Sequence, residues 1–111
     1  MTKLKEYKMF IDGEWVNSES KKSFKTLNPE TNEPWALVPE ASAKDVDKAV
    51  KAAQKAFEGE WPKLFPRERG KFLRKIGNQL RENAELLGKI ETTDTGKLFK
   101  ETNKQANYIA E

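Results

Sequence analysis

The sequence predicts an α+β chain, two N-terminal β-hairpins followed by three α-helices. Three observations carry that reading. Asp12-Gly13 stands between two short apolar runs, Met9-Phe10-Ile11 and Glu14-Trp15-Val16, which is the strongest short-range hairpin signal. Turn formers then gather in Asn28-Pro29-Glu30-Thr31-Asn32-Glu33, the composition of a loop between two strands. From Ser42 onward, apolar residues recur mostly at gaps of three and four, the period of an α-helix.

The first hairpin covers 9–16. An isolated two-stranded hairpin is marginal in water, so it must lie on something. Asn17 to Lys22 is polar and reads as loop. The second hairpin covers 23–38, pairing Ser23–Leu27 with Trp35–Val38. Pro34 and Pro39 bracket its second strand, which places that strand at a sheet edge.

The first helix spans about 42–58. Ser42 caps it, and Asp45 closes the box at the third helical position. Val46, Ala49, Val50, Ala53 and Phe57 make its apolar stripe, and Gly59 follows the end. Trp61-Pro62 begins a short linker. The second helix, 66–93, is the element the others are arranged around. Phe72, Leu73, Ile76, Leu80, Ala84, Leu87 and Ile90 form its stripe. It is roughly 40 Å long at ~1.5 Å per residue. Pro66 suits a first helical position, but Phe65 before it has no side-chain acceptor for the first-turn N–H groups. The charges oppose the macrodipole, with six cations against Glu68 from Pro66 to Arg81 and four acids against Lys89 from Glu82 to Thr95. Groups elsewhere are expected to answer them.

Asp94-Thr95-Gly96-Lys97 reads as a tight turn. The third helix, 98–111, directs Phe99, Thr102, Ala106 and Ile109 inward. It reaches Glu111 without Gly, Pro or a cap, where a natural boundary usually carries a stop signal. The sequence is therefore expected to continue past 111.

Of the 111 residues, 35% are charged and 36% hydrophobic. That is polar for a domain so short, which buries only about 60–70% of its unfolded surface. There is no cysteine and no histidine. The chain therefore holds no thiol nucleophile, no thiolate metal site and no Ser–His or Cys–His pair. The six glycines are scattered and form no phosphate loop. Trp35-Ala36-Leu37-Val38 is the longest apolar run, so no segment spans a membrane. No secretory signal opens the chain, and a cytoplasmic setting is expected. A net charge of +3 makes no global field that calls for nucleic acid. The basic run Arg67, Arg69, Lys71, Arg74 and Lys75 leaves one alternative, a free-standing helical adaptor for an acidic partner or nucleic acid.

Several segments together resemble a known family. Phe10-Ile11-Asp12-Gly13-Glu14-Trp15-Val16, Asn28-Pro29-Glu30-Thr31-Asn32-Glu33, the helix opening Ala41–Val50, Ala52–Phe57, Pro66-Arg67-Glu68-Arg69 and Glu91-Thr92-Thr93-Asp94-Thr95-Gly96-Lys97 stand in the order and spacing of the N-terminal region of aldehyde dehydrogenases. The resemblance runs from about Met9 to Glu111. It implies an α/β family fold with a Rossmann-like cofactor domain, of which 1–111 is the N-terminal part, truncated at 111. It implies NAD- or NADP-dependent oxidation of an aldehyde to a carboxylic acid, by a cysteine nucleophile and a glutamate base. Both fall beyond this sequence, so no catalytic or cofactor-binding residue is assigned here. The chain alone is expected to be inactive and to bind no NAD. The partners implied are the remainder of the subunit and, for the whole enzyme, a dimer or tetramer, with no nucleic acid and no membrane.

One family site reaches this segment. Many members bind a monovalent cation, sodium or potassium, with oxygens at the positions of Thr26, Leu27 and Asp94. Carbonyl and carboxylate oxygens suit such a hard ion. The sequence departs from the family at Phe65, where a small capping residue is common, and at Leu98, where proline often follows Gly-Lys.

Overall fold

A computed structural model of the chain describes residues 3–111. The strands are β1 (Lys5–Glu6), β2 (Met9–Ile11), β3 (Glu14–Val16), β4 (Ser23–Asn28) and β5 (Glu33–Pro39). The helices are α1 (Ala43–Glu58), α2 (Pro66–Glu82), α3 (Ala84–Thr95) and α4 (Phe99–Ile109), with a short 3-10 turn at Trp61–Lys63. The chain divides into two compact units. One holds the residues up to Leu27 together with Pro34–Lys63, the other Asn28–Glu33 with Leu64–Glu111.

β2 and β3 pair antiparallel, with Met9 opposite Val16 and Phe10 opposite Trp15. Asp12 and Gly13 have φ of 52° and 80°, the pair of positive angles that a type I′ turn requires. Phe10 and Trp15 meet across the pair with ring centroids 5.0 Å apart and planes tilted by 54°.

The second sheet is ordered β1-β5-β4. β5 is therefore a central strand, which corrects its expected place at an edge. β1 supplies the missing neighbour, running parallel with Lys5 opposite Ala36 and Glu6 opposite Leu37. It pairs only there, between Pro34 and Pro39, so it asks neither proline for an N–H. At the hairpin tip Asn28 accepts from Glu30 N–H through its side chain at 2.9 Å and from Asn32 N–H through its carbonyl at 2.7 Å. Asn32 takes the left-handed conformation, φ 57°.

Four helices replace the three expected, because the long helix breaks at Asn83. The Asn83 side chain donates to the Gln79 carbonyl at 2.8 Å, the same oxygen that accepts Asn83 N–H at 3.1 Å. An asparagine that competes for local backbone partners interrupts a helix. The break also answers the opposed charges in part. Arg81 now lies in the last turn of α2 and Glu85 in the first turn of α3, the order the dipole favours. The expected tight turn at Asp94 is corrected too. α3 runs on to Thr95, and Gly96 ends it in the left-handed conformation at φ 75°, donating to the Thr92 carbonyl at 2.9 Å.

Phe65 precedes Pro66 at the start of α2, where half a capping box forms. Phe65 N–H donates to the Glu68 carboxylate at 2.9 Å, while the Phe65 side chain has no oxygen to return the bond. Ala36 and Ala84 are the buried hydrophobic residues among those described. Many of the large apolar side chains described are exposed.

Candidate functional site

α1 is anchored at its first turn by one carboxylate. Ser42 Oγ accepts from Asp45 N–H at 3.3 Å, and Asp45 Oδ2 accepts from Ser42 N–H at 2.8 Å. Asp45 also accepts from Glu19 N–H, at 3.1 and 3.2 Å to its two oxygens. Asp45 as a residue is 3% exposed. It therefore ties the 17–22 loop to the helix start. The Ser42 N–H bond leads in holding its pKa below the ordinary 3.8, burial pushes the other way, and Glu19 N–H adds to the lowering. Outside this joint Lys44 Nζ meets Glu19 Oε1 at 2.9 Å.

With its end fixed this way, α1 turns Asp45, Lys48, Ala52 and Lys55 toward a cleft of about 390 Å³ shared with Ile11 and Val16 of the first hairpin. The predicted apolar stripe therefore looks elsewhere. Val46, Val50 and Phe57 are 56%, 61% and 70% exposed, and Ala49 and Ala53 beside them are exposed as well. Nothing among the described residues covers that stripe.

In the other unit α3 packs on α4 through backbone rather than bulk. Thr102 is completely buried and lies between Thr92 Oγ1 at 3.0 Å, the Gly88 carbonyl at 3.0 Å and the Phe99 carbonyl at 3.1 Å. Its one proton serves a carbonyl while it accepts from Thr92. A Cβ on Gly88 would stand 2.9 Å from the Asn103 nitrogen. A Cβ on Gly77 of α2 would stand 2.6 Å from the Ala110 carbonyl oxygen. Both glycines are there because the neighbouring backbone leaves no room. Leu73 and Ile76 of α2 remain 66% and 55% exposed, and Ile109, expected inward, is 63% exposed. Ile109 stands two turns beyond Thr102 on the same side of α4, at the last position of the helix.

The three residues the resemblance marks for a cation are found as follows. Thr26 is half-buried and Leu27 exposed, both in β4. Asp94 is exposed in the last turn of α3, where a helix gathers partial negative charge that suits a cation. Among the described residues no three His, Cys, Asp or Glu side chains gather as metal ligands. No described helix is long and apolar enough to cross a membrane.

Sequence reasoning missed the Asp45–Glu19 tie and the two glycine crossings. The tie joins residues far apart in the chain, and nothing local announces it. The crossings did leave a signal, since glycine inside a helical pattern often marks a close approach.

Well-made joints thus stand beside large apolar side chains left exposed among the described residues. A sequence profile of the aldehyde dehydrogenase family matches residues 15–111, and the chain belongs to that family. It is 47% identical over 89 residues to an aldehyde dehydrogenase of Aspergillus niger, covering 80% of this chain and 18% of that protein. It is 40% identical over 103 residues to a betaine aldehyde dehydrogenase of Bacillus subtilis, covering 92% and 21%. Among solved structures, the NAD-dependent aldehyde dehydrogenase of Sinorhizobium meliloti superposes with a TM-score of 0.92 at 33% identity, over 96% of this chain and 22% of that one. A betaine aldehyde dehydrogenase of Staphylococcus aureus in complex with NAD+ gives 0.89 at 38% identity, over 93% and 21%. The chain thus spans about a fifth of the length of the relatives it matches.

Proposed function

We propose that this chain is the N-terminal scaffold segment of an NAD(P)-dependent aldehyde dehydrogenase. In that reading the enzyme oxidises an aldehyde to a carboxylic acid, and its nucleophile, base and cofactor loop are supplied by further polypeptide. The observation that carries it is a family match along nearly the whole chain, joined to apolar faces that the chain itself does not cover. The exposed stripe of α1 and the Leu73–Ile76 face of α2 are the surfaces on which the remainder of the subunit packs. The NAD+ bound to the Staphylococcus aureus relative supports NAD as the cofactor of the whole enzyme. The reading places the enzyme in the cytoplasm as a homo-oligomer.

The test has two arms. Purified chain mixed with acetaldehyde and NAD+ is expected to give no NADH absorbance above the blank. A longer product of the same reading frame is expected to oxidise the aldehyde, and to lose solubility and activity when residues 1–111 are deleted. NADH formation by the short chain would remove the idea that chemistry lies elsewhere. Full activity without 1–111 would remove the scaffold role.

The cation belongs to the same proposal. Thr26 and Leu27 carbonyls and the Asp94 carboxylate offer the hard oxygens that sodium or potassium takes. A thermal shift of the longer product in KCl, absent in tetramethylammonium chloride and reduced by Asp94→Asn, is the expected sign. Equal stability in both salts would rule the ion out.

A further inference from the structure

One feature of α2 is left unused by the scaffold reading. Arg67, Lys71, Arg74, Asn78 and Arg81 follow one another at alternating gaps of four and three, which sets them along one side of a helix. The line is roughly 21 Å long at ~1.5 Å per residue. All five side chains are exposed. The ion pairs of the described residues engage Lys44, Lys51, Lys55, Lys63, Lys89 and Lys97. None of them reaches Arg67, Lys71, Arg74 or Arg81. Like charges one turn apart repel, so an unneutralised row of four is a feature that a partner would relieve. Leu73, Ile76 and Leu80 centre on a different side of the helix from Arg67 and Lys71, and meet the row at the cleft they share with Arg74 and Arg81.

We infer that this row docks an acidic polypeptide segment whose carboxylates recur once per turn. Three of the four cations are arginine, whose planar fork holds a carboxylate by two parallel hydrogen bonds. Arg74 and Arg81 also border a cleft of about 680 Å³ that Leu73 and Ile76 line as well, with Ala110 and Glu111 opposite. That space admits side chains of a docked segment. A nucleic-acid duplex fits less well. The basic strip is one helix wide and is flanked by Glu68 and Glu82 on the same helix. Phe72 is the only aromatic residue of α2 and lies off the row, so no base can stack there. The net charge of only +3 gives little long-range attraction for a polyanion.

The test uses the 111-residue chain and an alanine-based helical peptide bearing glutamates at gaps of four and three, labelled for fluorescence anisotropy. Saturable binding is expected at low ionic strength, weakening as salt rises. The variant R67Q/K71Q/R74Q/R81Q is expected to bind about tenfold to a hundredfold more weakly, as the loss of four exposed ion pairs implies. Compared at about 0.1 M salt, the control K48Q/K51Q/K55Q, on α1, is expected to stay within about twofold, because charges beyond a Debye length of ~10 Å are largely screened. Far-UV circular dichroism checks that each variant is folded. Should the quadruple variant unfold, Arg74→Gln and Arg81→Gln singly are expected to weaken binding about threefold each. No binding, equal weakening by the α1 control, or tighter binding of a DNA duplex of matched charge would each overturn the inference.

Discussion

The α3–α4 seam and the root of α1 are held by opposite means. At the seam two helices approach so closely that Gly88 has no space for a methyl group, and a single hydroxyl, Thr102, closes the polar gap. At the root of α1 one carboxylate reaches across to Glu19 while the apolar side of the helix stays bare. The seam is complete within this chain, whereas α1 is fixed at one end and open along its length. The difference separates a contact closed within this polypeptide from an apolar face that no described residue covers.

The largest effect should come from filling the seam. Gly88→Ala forces backbone apart and is expected to cost about 1–3 kcal/mol in chemical denaturation. Gly70→Ala is the internal control, since a Cβ there meets nothing within 4 Å. It should stabilise by about 0.5–1 kcal/mol through helix propensity. Equal behaviour of the two variants would deny the close crossing. Thr102→Val keeps the shape but leaves the Gly88 carbonyl and the Thr92 hydroxyl without that partner, and about 1–3 kcal/mol should be lost.

At α1 the effects should be local. Asp45→Ala keeps the Ser42 cap but removes the return bond to Ser42 N–H and the tie to Glu19, so amide exchange at Glu19 and through the first turn of α1 should accelerate while that of α4 holds. Acid should do the same to the parent chain. The folded pKa of Asp45 lies below the unfolded 3.8, so its contribution is present above 3.8 and lost as pH falls through the folded value. Amide exchange followed downward from neutral pH should therefore show the loop joint at Glu19 opening before the Thr102 contacts. The reverse order would break the contrast between the regions.

The smallest effect belongs to the bare stripe. Val50→Ser and Phe57→Ser should change the stability of the short chain by no more than about 0.5 kcal/mol, as exposed sites do. In a longer product of the same frame they should impair folding, which soluble yield would report.

The Asp12-Gly13 turn and the Ser42–Asp45 cap were legible because each is written in neighbouring residues. The break at Asn83 was hidden because the apolar spacing continues through it, and only the asparagine and the reversal of charge mark it. β1 escaped notice because a two-residue strand has no periodicity of its own and exists only through Ala36 and Leu37. The stripe of α1 was correctly drawn from spacing, but spacing cannot say whether a stripe finds a cover in the same chain. The cation residues Thr26, Leu27 and Asp94 were legible only through family likeness, since a main-chain carbonyl leaves no trace in the sequence.

The two helical glycines carry a practical warning. A stabilisation scheme that exchanges glycine for alanine inside helices would rank Gly70, Gly77 and Gly88 alike. At two of the three, the improved helix former would pry its neighbours apart, so such engineering here must consult contacts before propensities.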